Sequence, residues 1–231
     1  MTTPGALQAI IFDFDGVIAN SEPLHLRAFQ AALVAEGITL AEDEYYSRYL
    51  GYEDVGVFQA LARDRGLAMT SRQVTALVEA KGARMQTLMR NGACLFPGAA
   101  DFIRLSAGHV PVAVASGALR HEILEILNGA GLGDVFTVIV AAGDTPLSKP
   151  SPEPYLLAFE QLAGHAGRAL DARRCVAIED SRWGLASAQG AGLRCVGVTT
   201  SYAADALPGA ELIVGGLADL TIDMLQGLCA R

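Results

Sequence analysis

The chain has 231 residues, of which 52% are apolar, enough for one sizeable α/β domain or a core domain carrying a small insert. Its formal net charge is −8 and its 17 Lys and Arg are scattered without a basic run, which argues against a nucleic-acid-binding face, since a phosphate backbone demands clustered cations. The composition gives no sign of disorder, the opening residues lack the basic stretch and apolar run of a signal peptide, and no apolar segment is long enough to span a membrane, so a soluble cytoplasmic protein is expected.

The first element is the apolar run 7–12, ended by Asp13. Such a run fits a strand buried on both faces, as in a parallel sheet. Residues 22–90 contain no convincing strand. Leu26, Phe29, Leu33 and Val34 fall at helical spacing, and Leu61, Val74, Leu77, Val78, Met85 and Leu88 continue the style, punctuated by Gly37, Gly51 and Gly66. Strand-like runs then recur at 110–115, 135–141, 175–178 and 194–198, with a weaker one at 212–214. Helical patterns at 98–107, 119–130, 153–162 and 181–190 lie between them, and Pro97, Gly98, Pro152 and Pro154 mark two helix starts. The alternation predicts an α/β fold with a doubly wound parallel sheet and an inserted helical domain, with 1–20 plus 91–231 as the core and 21–90 as the insert. Of the four cysteines, Cys94, Cys175, Cys195 and Cys229, none forms a C-x-x-C pair, and Cys175 and Cys195 read as reduced core residues.

In open parallel α/β sheets, ligands bind beyond the carboxyl ends of the strands. Asp13 and Asp15 follow the first run, Ser116 and Gly117 the second, a loop with Lys149 the third, and Glu179, Asp180 and Ser181 the fourth. Taken singly, each has an ordinary structural role. An Asp or Ser after a strand often caps or turns, Lys149 would be a solvated lysine, and Asp180-Ser181 would cap the next helix. Taken jointly, the carboxylates would repel one another unless a cation joined them, and hard oxygen ligands favour magnesium. A carboxylate can attack phosphorus when the phosphoryl charge is neutralised, here by the metal and Lys149 with a hydrogen bond from Ser116. A second acid can protonate the leaving oxygen and then activate water.

The motifs Asp13-Phe14-Asp15-Gly16-Val17-Ile18, Ala115-Ser116-Gly117, Ser148-Lys149-Pro150 and Ile178-Glu179-Asp180-Ser181 resemble those of the haloacid dehalogenase superfamily, in the branch with phosphoglycolate phosphatase and β-phosphoglucomutase. The resemblance covers essentially the whole chain, and the insert matches the family's helical cap. It implies Asp13 as nucleophile and magnesium ligand, and Asp15 as general acid/base and as a magnesium ligand through its carbonyl. Asp180 would be a further ligand, Glu179 would hold the metal or one of its waters, and Ser116, Gly117 and Lys149 would bind the phosphoryl group. The acid at position 15 argues against dehalogenation, which has no leaving alcohol to protonate. The stretch 116–119 is expected to open a helix whose N-terminus favours an anion.

The expected activity is therefore a magnesium-dependent phosphatase acting on a small phosphoester through an aspartyl-phosphate, as a monomer or homodimer. The alternative is a sugar-phosphate mutase. The linker Asn20-Ser21-Glu22-Pro23-Leu24-His25 resembles that of β-phosphoglucomutase, with His25 at the position of its hinge histidine. Against this, Leu50 and Asp54 stand where the mutase pattern places a lysine and an arginine, and a bis-phosphorylated intermediate needs cations for its distal phosphate. Half of Tyr45, Tyr46, Tyr49 and Tyr52 are expected in the core and the others near substrate. Trp183 is expected to pack, and Arg48 to be a solvated surface charge.

Overall fold

The computed structural model describes residues 6–50, 52–89 and 94–230. The chain divides into two compact units, Met1–Asn20 with Cys94–Arg231, and Ser21–Ala93. Gly51 and the domain boundary expected at 90/91 lie outside the described residues.

In chain order, β1 (Ala9–Phe12) precedes four helices, α1 (Glu22–Val34), α2 (Glu42–Arg48), α3 (Asp54–Asp64) and α4 (Ser71–Met89). Then come α5 (Ala99–Ala107), β2 (Val112–Ala115), α6 (Arg120–Gly129), β3 (Val138–Val140), α7 (Glu153–Ala166) and β4 (Cys175–Glu179). The chain continues through α8 (Arg182–Gly190), β5 (Arg194–Val198), β6 (Leu212–Val214) and α9 (Ile222–Cys229). The strands form one sheet in the order β3-β2-β1-β4-β5-β6, every neighbouring pair parallel.

All four residues of β1 are fully buried, as expected of a central strand covered on both faces. Ala9 and Ile11 join a core with Tyr155, Ala158 and Leu162 of α7 and with Leu185 and Ala188 of α8. Phe12 turns to the other face and meets Phe102 and Phe136 edge-on. Burying each such large apolar side chain contributes about 1.5–3 kcal/mol. The expected strands are present; β4, β5 and β6 begin where their apolar runs begin, whereas β1, β2 and β3 begin two or three residues later. Before β2 stands Pro111, which has no N–H for a ladder, and Val135 hydrogen-bonds back to Leu132 in a turn. Helix α7 runs past the expected end to Ala166 and stops at Gly167, whose φ of 62° only glycine adopts freely. Helix α9 was not anticipated. Its signal is Thr221, whose side chain caps the Met224 N–H.

The helical unit has its own core, with Leu26, Phe29 and Leu33 of α1, Phe58 and Leu61 of α3, and Val74 and Leu77 of α4 packed around Tyr45 and Tyr49. Tyr46 is half-buried and Tyr52 exposed. Arg48 is largely exposed, 3.6 Å from Asp64. Inside this unit Lys81 of α4 is only 3% exposed. Its Nζ donates to Asp54 Oδ1 at 2.8 Å, lies 2.9 Å from His25 Nδ1, and sits 4.9 Å over the Phe29 ring.

Candidate active site

Strand β1 lies between β2 and β4, so the carboxyl end of β1 is where the winding of the sheet reverses. Asp13 follows β1 directly and donates its backbone N–H to the Ile178 carbonyl of β4 at 2.9 Å. Glu179 closes β4 and Asp180 follows it. Carboxylate oxygens of Asp13, Glu179 and Asp180 lie within 4.8 Å of one another, and all three residues are buried.

Lys149 reaches this cluster from the loop after β3. Its Nζ stands 2.6 Å from Asp13 Oδ1 and 2.6 Å from Glu179 Oε1. Glu179 Oε1 also accepts the Tyr155 hydroxyl at 3.1 Å, and the Lys149 ammonium lies 4.9 Å over the Tyr155 ring. Glu179 Oε2 accepts from the backbone N–H of Asp180 and Ser181 and from the Ser181 hydroxyl, at 3.1, 3.2 and 3.0 Å. A carboxylate offers about four lone-pair sites, and five donors already converge here. Glu179 therefore acts as a rigid holder of Lys149. Gly184 makes room for it, since a Cβ there would stand 1.6 Å from Glu179 Oε1. The Ser181 hydroxyl also caps α8 by accepting the Gly184 N–H.

The electrostatics of the cluster are unbalanced. Three carboxylates face one lysine. Burial, with Glu179 and Asp180 adding to it, pushes Asp13 well above the usual carboxylate range despite the opposing pull of Lys149. Burial, reinforced by Glu179, raises Asp180 to about 6 although the Ser201 hydroxyl opposes it. Burial disfavours the charge on Lys149, but Asp13 and Glu179 outweigh it and raise its pKa. A small divalent cation among these oxygens would supply the missing positive charge, and the all-oxygen donor set suits magnesium. Asp13 and Asp180 fit as its ligands better than the saturated Glu179 does.

Ser116 follows β2, is buried, and donates its N–H to the Val140 carbonyl at 3.0 Å. Ser116, Gly117 and Lys149 line a cavity of about 240 Å³ with Ala142, Thr145 and Pro154. The stretch 116–119 leads into α6, and the helix expected at 119–130 begins one residue later. The Ser116 hydroxyl accepts the Ala118 N–H, Leu119 is extended at ψ 139°, and α6 begins at Arg120. Trp183, expected to pack, does so at the surface. It is 44% exposed, edge-on to Tyr202 at 6.3 Å and stacked under Arg182 at 4.3 Å.

Asp15 is exposed, and its side chain is not part of the carboxylate cluster. It sits in a turn closed by hydrogen bonds from Gly16 to Ala19 and from Ile18 to Phe14, both 2.9 Å. Gly16 has φ 81°, and a Cβ there would stand 1.9 Å from Asp180 Oδ2 and 2.8 Å from Ser201 Oγ. The Thr200 hydroxyl donates to the Gly16 carbonyl. His25 belongs to the helical unit, where it meets Lys81. Sequence reasoning missed Tyr155, Thr200 and Ser201. The last two follow β5, so the same attention to strand ends would have flagged them.

Residues 7–192 match the haloacid dehalogenase-like hydrolase family profile. The chain belongs to the haloacid dehalogenase-like hydrolases. Among relatives of this family, protein CbbY from Rhodobacter capsulatus is 33% identical over 211 residues, covering 85% of this chain and 87% of the relative. A phosphoglycolate phosphatase from Yersinia pseudotuberculosis is 28% identical over 204 residues, covering 85% and 83%. The crystal structure of CbbY from Rhodobacter sphaeroides in complex with phosphate is similar at TM-score 0.71 and 29% identity, covering 93% of this chain and 96% of that one. Among the described residues of this haloacid dehalogenase-like hydrolase, no helix is long and apolar enough to cross a membrane.

Proposed function

We propose that this hydrolase is a magnesium-dependent phosphatase of a small phosphorylated metabolite, of sugar-phosphate or phosphoglycolate type, working through an aspartyl-phosphate on Asp13. The observation that carries the reading is the shared grip of Lys149 on Asp13 and Glu179 beside Asp180. It would combine a nucleophile, a phosphoryl-charge stabiliser and a metal-ready cluster at the carboxyl edge of the sheet. The relative named phosphoglycolate phosphatase supports the same substrate class.

In this reading the substrate phosphoryl group enters the cavity lined by Ser116, Gly117 and Lys149. Lys149 transfers its hydrogen bond from Asp13 to a phosphoryl oxygen, and Ser116 donates another. An Asp13 oxygen attacks phosphorus, the ester P–O bond breaks, and Asp15 gives its proton to the leaving alcohol oxygen. Asp15, now ionised, takes a proton from water. That water's oxygen attacks phosphorus, the acyl-phosphate bond breaks, and phosphate leaves with Asp13 restored. Magnesium held by Asp13, Asp180 and the Asp15 carbonyl would neutralise phosphoryl charge.

The mutase alternative needs cations in the helical unit for a second phosphate. The buried cation Lys81 already has its charge matched by Asp54, which favours the phosphatase. We read the helical unit, Ser21–Ala93, as a cap that selects the leaving group. The test is phosphate release from sugar phosphates, sugar bisphosphates, phosphoglycolate, nucleotides and p-nitrophenyl phosphate, with magnesium or excess chelator, beside Asp13→Asn. Magnesium-dependent turnover that disappears in Asp13→Asn is expected. A bisphosphate-dependent sugar-phosphate conversion without net phosphate release would establish the mutase instead.

A further inference from the structure

The loop after β5 has no part in the chemistry described above, yet three of its hydroxyls are used. The Thr199 N–H and hydroxyl both reach the Val214 carbonyl of β6, at 3.0 and 3.4 Å, which pins the loop to the sheet. The next two residues point the other way. The Thr200 hydroxyl donates to the carbonyl of Gly16, the residue after Asp15. The Ser201 hydroxyl oxygen lies beside the Asp180 carboxylate, both facing the Cα of Gly16, and it opposes the rise of the Asp180 pKa. Gly16 is the meeting point, because a side chain there would collide with both Asp180 Oδ2 and Ser201 Oγ. One loop thus ties the turn carrying Asp15 to the carboxylate of Asp180, although 165 residues (180 − 15) separate the two in sequence.

The physical need for such a tie is specific. Among the carboxylates of the cluster, Glu179 is locked by five donors and Asp13 is gripped by Lys149. Magnesium demands near-ideal octahedral geometry, so a freely rotating ligand weakens the site, and groups that orient ligands are worth about 10–100-fold in metal affinity. A hydroxyl can donate to one Asp180 oxygen and leave the other for a cation. A lysine or arginine in its place would compete with the cation through its own charge.

We propose that Thr200 and Ser201 are positioning residues that set the magnesium affinity of this centre by fixing the Asp15–Gly16 turn and the Asp180 carboxylate relative to each other. This rests on the phosphatase reading for its catalytic consequence but not for its binding consequence. Sequence order gives no hint of the link, which forms only because β5 lies beside β4 and β4 beside β1.

The test is calorimetric titration of the full chain with magnesium chloride, without substrate, for wild type, Ser201→Ala, Ser201→Thr, Thr200→Val and Thr200→Ser. The magnesium dependence of phosphate release and thermal melting are measured beside it. Ser201→Ala and Thr200→Val are expected to weaken magnesium binding at least about tenfold, and the hydroxyl-keeping variants to stay within about threefold of wild type. Saturating magnesium should restore most of kcat. Variants with lowered melting temperature but unaltered magnesium affinity would overturn the inference and leave the phosphatase reading standing. Weakened binding in a protein that hydrolyses no phosphoester would sink the phosphatase reading and keep the inference. A wild-type chain that binds no magnesium would end both.

Discussion

The Lys149 ammonium stands 2.6 Å from Oδ1 of Asp13, so in the free chain the cation meant for the phosphoryl group pulls the nucleophile toward its ionised form against the effect of burial. Lys149→Met removes that support in the ground state and the stabilisation of the transferring group. A fall in kcat of about 10²–10³-fold is expected, the size found for losing one electrostatic donor at a reacting oxygen. Steady-state kinetics at saturating magnesium checks this. A loss confined to KM would mean that Lys149 only binds substrate.

The pKa of Asp180, raised to about 6 against an ordinary 3.8, makes a statement about stability. The folded state holds this proton more tightly than the unfolded one. Stability therefore falls as pH rises from about 4 through 6, and the penalty is complete above that. In chelator at pH 7.5, Asp180→Asn should melt above wild type by several degrees, from a penalty on the order of 2 kcal/mol. The gap should close near pH 4. Magnesium should raise the melting temperature of wild type and have little effect on the variant. Equal melting of the two proteins at pH 7.5 would show that the cluster stores no repulsion.

Tyr155 is fully buried, and its hydroxyl donates to Glu179 Oε1. Tyr155→Phe keeps the ring over Lys149 and removes one of five donors to the carboxylate. A loss of about 1–2 kcal/mol in denaturant unfolding is expected, with kcat reduced less than tenfold because Lys149 stays in place. A hundredfold loss of kcat would assign the hydroxyl a direct part in the reaction.

Much of this site is legible in the sequence because a parallel sheet sends every strand's carboxyl end to one edge. Asp13, Ser116, Lys149 and Glu179-Asp180 announce themselves by following apolar runs, and the sheet brings Asp13, Lys149, Glu179 and Asp180 into contact. What the sequence hides is how acceptors are filled. Nothing in Glu179-Asp180-Ser181 says that Glu179 is saturated by Lys149, Tyr155, and the N–H and hydroxyl groups of the two residues that follow it. Tyr155 reads as one more apolar residue of α7.

The helical unit allows a separate check, through Lys81 and Asp54. Lys81→Met strands a partly buried carboxylate and should destabilise by roughly 1–3 kcal/mol, less than the roughly 3–5 typical of fully buried pairs because Asp54 is 34% exposed. Adding Asp54→Leu should recover most of that loss. A double-mutant cycle in denaturant measures the coupling, and strictly additive losses would show that the pair contributes nothing.

All four cysteines are free and buried. Burial pushes Cys175 and Cys195 up to about 12 and Cys94 and Cys229 up to about 11, so near neutral pH they stay as thiols away from solvent. Alkylating and maleimide reagents act on thiolates, so the native chain offers them almost no target. A single cysteine introduced on an exposed helix face would then be the one fast-labelling position. Fluorophores or spin labels can thus be attached without first stripping the native sulfurs, giving direct access to the motions of either unit during turnover.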